Sequence, residues 1–168
     1  MKNVYLIGMM GSGKTTTGQA LAKLLSVPFV DLDEQIVQTA GHSINEIFKT
    51  KGEPYFRQLE ADVLRKVSGS SGQVVATGGG IVINSENRAK LKSTGFVIYL
   101  KTGINTLWDR VKTKKDRPLL ATADPKQTFT ELFQFRAPLY AESSERVFLT
   151  DHKTPEAVAQ EIYKACFQ

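Results

Sequence analysis

Cysteine is almost absent from the sequence, and its only example is Cys166, near the C-terminus. A single thiol cannot form an intramolecular disulfide, which excludes a disulfide framework and favours a reducing compartment. No stretch approaches the roughly 20 apolar residues of a membrane-spanning helix. The apolar run Val4–Met10 follows Lys2 but leads into glycines, not into the small-residue cleavage site of a signal peptide. We therefore expect a cytoplasmic protein with no membrane partner.

Motifs for nucleic-acid binding are also missing, although basic residues outnumber acidic ones by 22 to 17. There is no zinc-ligand set, basic zipper or aromatic RNA-binding signature, and the basic residues are spread from Lys14 to Lys164. One local cluster comprises Lys112, Lys114, Lys115 and Arg117. Spread charge is the usual state of a solvated surface, and a site for phosphates and a carboxylate also needs Arg and Lys. We expect no nucleic-acid partner and, since nothing suggests an obligate interface, a monomer.

Short apolar runs alternate with longer amphipathic ones throughout the chain, without a repeat or a linker. This alternation predicts a single α/β domain, residues 1–168, with βα units around a mostly parallel sheet. The predicted strands are Val4–Ile7, Pro28–Val30, Val74–Ala76, Phe96–Leu100 and Arg146–Leu149.

Helix start signals lie between these runs. Ser43 and Glu46 have the spacing of a capping box. Thr154–Pro155 and Asp124–Pro125 each offer an N-cap followed by a first-turn proline. Pro138 is predicted to kink or restart the helix that precedes it.

The segment Gly8–Thr15 (GMMGSGKT) matches the phosphate-binding P-loop, between the first strand and a helical run. Glycines let backbone N–H groups turn inward around phosphate oxygens, and the helix N-terminus adds its dipole. Lys14 is predicted to bridge the outer phosphates and Thr15 to ligate Mg²⁺. The motif therefore predicts a nucleoside triphosphate site. Its nucleotide-binding residues are Gly11, Ser12, Gly13, Lys14, Thr15 and Thr16.

A segment of basic and irregular character, Lys112–Asp124, contains a proline and lacks a sustained hydrophobic period. A loop of this length in a compact domain is usually functional or mobile. Its basic cluster, in a chain with a P-loop, favours a mobile lid, and a plain surface connection is the alternative.

Two strands are candidates for the group that steadies the magnesium shell beside a P-loop. Pro28–Val30 leads into Asp31, whereas Val74–Ala76 leads into Thr77 and three glycines. Asp31 is therefore the predicted metal-side carboxylate, acting through water, with Thr77 as a hydroxyl substitute.

The pair Asp31-x-Asp33 places two carboxylates on one side of the chain at the C-terminal edge of a strand, where open α/β sheets bind ligands. Such a pair is often only a solvated turn or a helix cap. Its position one βα unit after the P-loop favours a site, and Asp33 is predicted to orient and deprotonate an acceptor hydroxyl.

Arg57 and Glu60 lie three residues apart on the predicted helix Pro54–Val67, and therefore on one face. They form either a surface ion pair or a clamp in which Glu60 holds the Arg57 fork against a substrate carboxylate. Gly78–Gly80 follows a strand, where backbone N–H groups can approach an anion or hydroxyl closely. Arg136 is a candidate second carboxylate ligand, although such a residue is more often an ordinary surface arginine.

These motifs occur in one order across nearly the whole chain, and together they resemble the shikimate kinase family of P-loop kinases. The matching elements are the P-loop, Asp31-x-Asp33, Phe56-Arg57-x-x-Glu60, Thr77-Gly78-Gly79-Gly80, Arg117-Pro118-Leu119-Leu120 and Arg136-x-x-Leu139-Tyr140. The resemblance implies a three-layer fold with a five-stranded parallel sheet, order 2-3-1-4-5, flanked by helices. It also implies transfer of the γ-phosphate of ATP to the 3-hydroxyl of shikimate, on the route to chorismate and aromatic amino acids.

Roles for individual residues follow from the same resemblance. Lys14, Asp33 and Arg117 form the implied catalytic set, with ATP and Mg²⁺ as cofactors and with an acceptor-binding region at about residues 31–60. The implied contacts are Asp33 with the acceptor hydroxyl, Arg57 and Arg136 with the shikimate carboxylate, Gly79, Gly80, Phe48 and Phe56 around the acceptor, Arg117 with the transferring phosphate and Arg110 with adenine.

Three other classes of nucleotide-binding protein are alternatives. A gluconate-type kinase shares the P-loop and also takes a carboxylated acceptor. A nucleoside-monophosphate kinase is disfavoured by the acceptor set of D-x-D, R-x-x-E and GGG. A guanine-binding switch without transfer activity would need an Asn-Lys-x-Asp motif, which the sequence lacks.

Overall fold

A parallel five-stranded sheet forms the centre of the computed structural model, which describes residues Met1–Gln168. The strands are β1 (Asn3–Ile7), β2 (Phe29–Asp31), β3 (Val74–Ala76), β4 (Gly95–Lys101) and β5 (Arg146–Leu149). Their order is β2-β3-β1-β4-β5, so that Leu6 of the central strand pairs with Ala76 on one side and with Ile98 on the other. The predicted strands, the parallel sheet and the strand order are confirmed.

Eight α-helices connect and cover the strands. They are α1 (Lys14–Leu25), α2 (Leu32–Ala40), α3 (Ile44–Lys51), α4 (Glu53–Val67), α5 (Ser85–Thr94), α6 (Ile104–Val111), α7 (Pro125–Ser143) and α8 (Pro155–Cys166). None of them combines the length and the apolar composition that a membrane span requires.

The predicted caps begin three of these helices. Asp124 and Thr154 accept hydrogen bonds from backbone N–H groups in the first turns of α7 and α8, and each is followed by proline. Ser43 Oγ accepts from the Glu46 N–H at 3.2 Å, but the Glu46 carboxylate contacts His42 instead of completing the capping box. Each cap contact joins residues within one helical turn, and the sequence alone could therefore predict where these helices begin.

The two faces of the sheet bury separate apolar cores. Successive side chains of a strand point to opposite faces. Tyr5 and Ile7 therefore lie in the larger core with residues of α2 to α7, whereas Val4 and Leu6 lie in the smaller core against α1 and α8. Burying a side chain of this size contributes about 1.5–3 kcal/mol to the free energy of folding. Packing on both faces therefore stabilises the sheet whose strand ends carry the site.

Pro138 does not restart the helix, and the prediction that it would is wrong in that respect. Helix α7 is continuous from Pro125 to Ser143, with the proline inside it. Buried residues on one face of the helix, Phe129 before the proline and Arg136 and Tyr140 on either side of it, anchor both halves to the body. This packing offsets the backbone hydrogen bond that proline removes.

The irregular segment 112–124 connects α6 to α7. It contains one 3₁₀ turn, Pro118–Leu120, and the Leu120 side chain is buried in the larger core. Residues 112–116 are exposed. The segment is thus anchored at one point near its middle and is free of packing at its beginning.

Candidate active site

The P-loop lies where the central strand β1 turns into α1. Gly11 and Gly13 have φ of 85° and 87°, in the left-handed region that favours glycine. No side chain caps the N-terminus of α1, so its first N–H groups remain free. Lys14 Nζ folds back over the loop and donates to the carbonyls of Gly8 (2.8 Å) and Met9 (3.0 Å). Free N–H groups, a helix dipole and an ammonium together form an anion site.

Opposing charges surround the Lys14 ammonium. Burial is the largest of the effects that together lower the pKa of Lys14 to about 8; the Asp33 and Asp31 carboxylates oppose the shift, and the Arg117 charge adds to it. The added negative charge of a bound phosphate would favour the protonated form. Lys14 is therefore a cation whose charge depends on what occupies the loop.

Thr15 and Asp31 meet at the mouth of the P-loop. The Thr15 hydroxyl donates to Asp31 Oδ2 at 2.6 Å, and Asp31 Oδ1 also accepts from the Asp33 N–H at the start of α2. Thr77, by contrast, is buried and donates its hydroxyl to the Leu6 carbonyl at 2.9 Å. Of the two candidates for the metal side, Asp31 is the one in direct contact with Thr15.

A cavity of about 1110 Å³ opens over the P-loop. The predicted nucleotide and metal residues that line it are Gly11, Gly13, Lys14, Thr15, Thr16, Asp31, Arg110 and Arg117, together with Thr77, the predicted hydroxyl substitute. Ser12 is not among them. It faces an adjoining cavity with Arg110, Thr150, Lys153 and Pro155, and its buried hydroxyl has no hydrogen-bond partner.

A second cavity, of about 540 Å³, adjoins the first on the side of β2 and β3. All five predicted acceptor residues line it: Asp33, Arg57, Gly79, Gly80 and Arg136. Phe48 and Phe56, with ring centroids 4.7 Å apart, form part of its apolar wall. The structure thus brings together residues that are distant in the sequence; Asp33 and Arg136, for example, are 103 positions apart.

Arg57 and Glu60 form a clamp at the cavity, and the reading as a surface ion pair is not supported. Arg57 Nη1 donates to Glu60 Oε1 at 3.0 Å, and the Glu60 side chain is only 2% exposed. Burial raises the pKa of Glu60, and the Arg57 charge opposes that shift. A second carboxylate, Glu53, lies 3.4 Å from Arg57 Nε, and the guanidinium lies over the Phe56 ring. These contacts fix the direction of the Arg57 fork.

Arg136 is buried and has no carboxylate partner. The residue is 1% exposed, no Asp or Glu oxygen lies within 4.0 Å of its nitrogens, and its Nε has no hydrogen-bond partner. Burial lowers its pKa, and the Arg57 charge adds to this effect. A buried cation without a partner is costly. Since Arg136 lines the second cavity, an anion there would supply the missing charge.

The three consecutive glycines leave room for these charged side chains. A Cβ on Gly80 would lie 2.2 Å from Arg57 Nη1, and one on Gly78 would lie 2.8 Å from Glu60 Oε2. Such approaches are impossible for a real side chain without movement of the arginine or the carboxylate. Gly78 and Gly80 therefore leave the space that the side chains of the clamp occupy.

Asp33 stands where the two cavities meet. The residues that line both are Met10, Asp33, Gly79 and Arg117. Burial raises the pKa of Asp33, and the Asp31 carboxylate raises it further, while the charges of Lys14, Arg117 and Arg57 oppose the shift. A carboxylate at this boundary, with a raised pKa, is suited to accept a proton from a hydroxyl in one cavity as it attacks a group in the other.

Several lining residues were not assigned to the site from the sequence. Met10, Ile44 and Asp116 line the acceptor cavity, Lys114 lines the nucleotide cavity, and Lys153 faces the third cavity. Lys114 belongs to the basic cluster, Met10 to the P-loop motif and Asp116 to the predicted lid, but these signals did not say which cavity each residue lines. Ile44 carried no signal, and its position depends on tertiary folding.

Comparisons with known proteins agree with this geometry. A family model described as shikimate kinase matches residues 10–167. Shikimate kinases from Persephonella marina and Thermodesulfovibrio yellowstonii are 43% and 42% identical to the chain, over 96% and 98% of its length and 97% and 94% of theirs. The solved shikimate kinase from Acinetobacter baumannii, in complex with shikimate, has a TM-score of 0.95 at 38% identity, covering 98% of this chain and 92% of that one.

A more distant structure, a sugar kinase from Janibacter sp., has a TM-score of 0.57 at 15% identity over 98% of this chain and 93% of that one. That likeness concerns the fold alone. The family model and the near full-length relatives reach further, and by them the chain is a member of the shikimate kinase family.

Proposed function

We propose that the chain uses ATP to phosphorylate the 3-hydroxyl of shikimate, giving shikimate 3-phosphate and ADP, with the residue roles described below. The observation that carries this proposal is the buried, unpartnered Arg136 in a cavity that shares Asp33 and Arg117 with the P-loop cavity. An acceptor with a carboxylate at one end and a hydroxyl at the other fits that arrangement. Shikimate has both groups, and it is the ligand of the A. baumannii relative.

The carboxylate of the acceptor binds Arg136 and Arg57 in this proposal. Charge-assisted hydrogen bonds to guanidinium groups are about twice as strong as neutral ones and can be bidentate. Arg57 is already oriented by Glu60 at 3.0 Å, whereas Arg136 gains its only anionic partner when the acceptor binds. The ring of the acceptor packs on Phe48 and Phe56, and two groups at opposite ends therefore fix its orientation.

Asp33 accepts or orients the proton of the acceptor hydroxyl, which directs the oxygen toward the γ-phosphate. The phosphoryl group passes along the boundary lined by Met10, Asp33, Gly79 and Arg117. Lys14 and Arg117 compensate the charge on its oxygens. Phosphoryl transfer needs little covalent help from the protein, so this positioning and charge compensation supply most of the rate enhancement.

On the base side, Arg110 stacks on adenine. Its Nη1 donates to the Gly11 carbonyl at 2.8 Å, which ties the guanidinium to the P-loop. A planar guanidinium suits a base face. The adjoining cavity with Thr150, Lys153 and Pro155 supplies the opposite wall for the base.

Magnesium fits the oxygen atoms at the mouth of the P-loop. Mg²⁺ prefers oxygen ligands and is usually held by one or two protein groups together with substrate phosphates. The Thr15 hydroxyl and the Asp31 carboxylate, 2.6 Å apart, are such groups, and we propose Thr15 as a ligand with Asp31 acting through water. When bound, the ion neutralises charge on the β- and γ-phosphates.

The segment 112–124 acts as a mobile lid in this proposal. Four consecutive lid residues, 116–119, line the acceptor cavity, while residues 112–116 are exposed and carry the three lysines of the basic cluster. Closure over both substrates would bring Arg117 to the phosphate and exclude water, which suppresses hydrolysis of ATP.

We propose a monomer that acts on small molecules and not on nucleic acid or membranes, because cavities of about 540 and 1110 Å³ suit small molecules. We propose the cytoplasm as its location because ATP is supplied there.

The first test is ADP release with Mg²⁺-ATP and with shikimate, gluconate or AMP in separate reactions. Turnover with shikimate alone is the expected result. Turnover with gluconate would favour the alternative of a sugar-acid kinase, and ADP release that no acceptor accelerates would contradict an acceptor kinase of either kind.

A further inference from the structure

Tyr140 is a buried titratable residue to which the mechanism above gives no task. It is fully buried and lies four residues after Arg136 on α7, so both side chains project from the same face of the helix. Its ring packs on Tyr99, with centroids 5.2 Å apart and planes at 32°. This stack holds the phenol ring in one orientation beneath the acceptor cavity.

The Tyr140 hydroxyl points at the glycine run. It donates to the Gly79 carbonyl at 2.5 Å, and the Met9 sulfur lies 3.8 Å from the same oxygen. Burial raises the pKa of the phenol well above its usual range, with an opposing effect from the Arg136 charge. The hydroxyl therefore keeps its proton at every working pH and always acts as a donor to Gly79.

Arg136 lies against the same Gly79 peptide. The positive charge of the guanidinium opposes the rise in the pKa of the phenol. Arg136 Nη1 would also lie 3.5 Å from a Cβ at Gly79, so the guanidinium packs directly on that peptide. The Gly79 peptide is therefore the group that both the Tyr140 hydroxyl and the Arg136 guanidinium contact.

We propose that Tyr140 is a positioning residue for the acceptor, because its hydroxyl fixes the Gly79 peptide against which the Arg136 guanidinium packs. Gly79 lines both cavities, so a displacement of this peptide changes the distance between the two substrates. Through Arg136 and Gly79, one hydroxyl sets both where the carboxylate binds and where the acceptor lies with respect to the phosphate. This inference rests on the proposed function.

The test is Tyr140→Phe, with Tyr99→Phe as the matched control. Both rings stay in the stack, but the Tyr99 hydroxyl makes no hydrogen bond to another side chain or to the backbone. We expect Tyr140→Phe to raise the KM for shikimate about five- to ten-fold and to change the KM for ATP less than two-fold, as the loss of one buried hydrogen bond predicts. Tyr99→Phe should leave both constants within two-fold.

A double-mutant cycle with Arg136→Lys separates positioning from a general structural effect. If Tyr140 acts through Arg136, its penalty on the shikimate KM shrinks when lysine replaces the arginine. Additive penalties, or equal increases in the KM of ATP and of shikimate, would overturn the proposal. The wild-type assay with shikimate is run first, so that failure of the proposed function is recognised before Tyr140 is judged.

A second measurement uses the wild-type protein and remains available if Tyr140→Phe does not fold. The chain has five tyrosines, few enough for resolved signals from ¹³Cζ-labelled tyrosine, assigned through Tyr→Phe changes at the other four. Shikimate should shift the Tyr140 signal by more than ATP alone does, because Arg136 and Gly79 both line the acceptor cavity. A Tyr140 signal that does not respond to shikimate would also overturn the proposal.

Discussion

Replacing Arg136 by methionine should weaken acceptor binding and yet leave the free protein as stable as before, or more stable. Arg136 is 1% exposed and has no carboxylate within ion-pair distance, so the free protein bears a buried charge without a direct partner. Methionine has a similar unbranched stem without the charge. Removing a buried charge of this kind is often neutral or stabilising, whereas the lost bond to a bound carboxylate costs about 2–5 kcal/mol.

Taking about 3 kcal/mol for that bond, the dissociation constant of shikimate rises about 100-fold. At a concentration of about 100 times its wild-type dissociation constant, shikimate stabilises the wild-type protein by about 2.7 kcal/mol. The same concentration stabilises the variant by only about 0.4 kcal/mol. For a chain of this size, these values correspond to shifts in Tm of roughly 5–10 °C and about 1 °C.

The assay is thermal unfolding with and without shikimate, together with the KM for shikimate. Arg57→Met is the matched control, because it leaves the buried Glu60 carboxylate without its partner at 3.0 Å and should lower the Tm of the free protein. A fall in the free-protein Tm of Arg136→Met as large as that of Arg57→Met would refute the reasoning, as would an unchanged KM.

Three further predictions concern other parts of the site. Asp33→Ala should lower turnover by at least about 100-fold and leave nucleotide affinity within about two-fold, as measured by steady-state kinetics and ATP titration; normal turnover at saturation would exclude its role. Gly80→Ala should raise the KM for shikimate at least about ten-fold without affecting that for ATP, because the new Cβ would lie 2.2 Å from Arg57 Nη1; equal KM values in variant and wild type would show that the arginine yields freely. The kcat/KM for ATP should fall as pH rises through about 8, because Lys14 with its lowered pKa loses its charge there. In the pH profile of kcat, the fall should occur at higher pH, because bound phosphates favour the protonated Lys14. A kcat/KM that stays constant up to about pH 9.5 would contradict this assignment.

Features set by local sequence were predictable. The strands of the sheet are short apolar runs bounded by breakers, and the caps Asp124 and Thr154 act within one helical turn. The P-loop is contiguous in sequence, so its glycines and Lys14 could be identified without knowledge of the fold. Strand order came from resemblance, since periodicity alone does not say which strands are neighbours.

Features that depend on distant packing were not predictable. Glu60 has the same i, i+3 spacing to Arg57 as any surface pair, and only the burial of the Glu60 side chain distinguishes the clamp. The environment of Arg136 is set by α4, β3 and the P-loop together. Pro138 predicted an interruption of the helix, but α7 continues through it because buried residues anchor the helix on both sides of the proline. Asp116 carries no local signal for its place in the acceptor cavity.

The strand order has a consequence for how such a chain can change its substrate. In the proposed function, the phosphates bind over the central strand β1, the base binds near the ends of β4 and β5, and the proposed acceptor residues Asp33 and Gly78–Gly80 follow β2 and β3. The two halves of the sheet thus serve two different molecules. Replacing the residues of the β2–β3 half and of the inner face of α7 would change which alcohol is recognised. The residues proposed to bind ATP would stay the same.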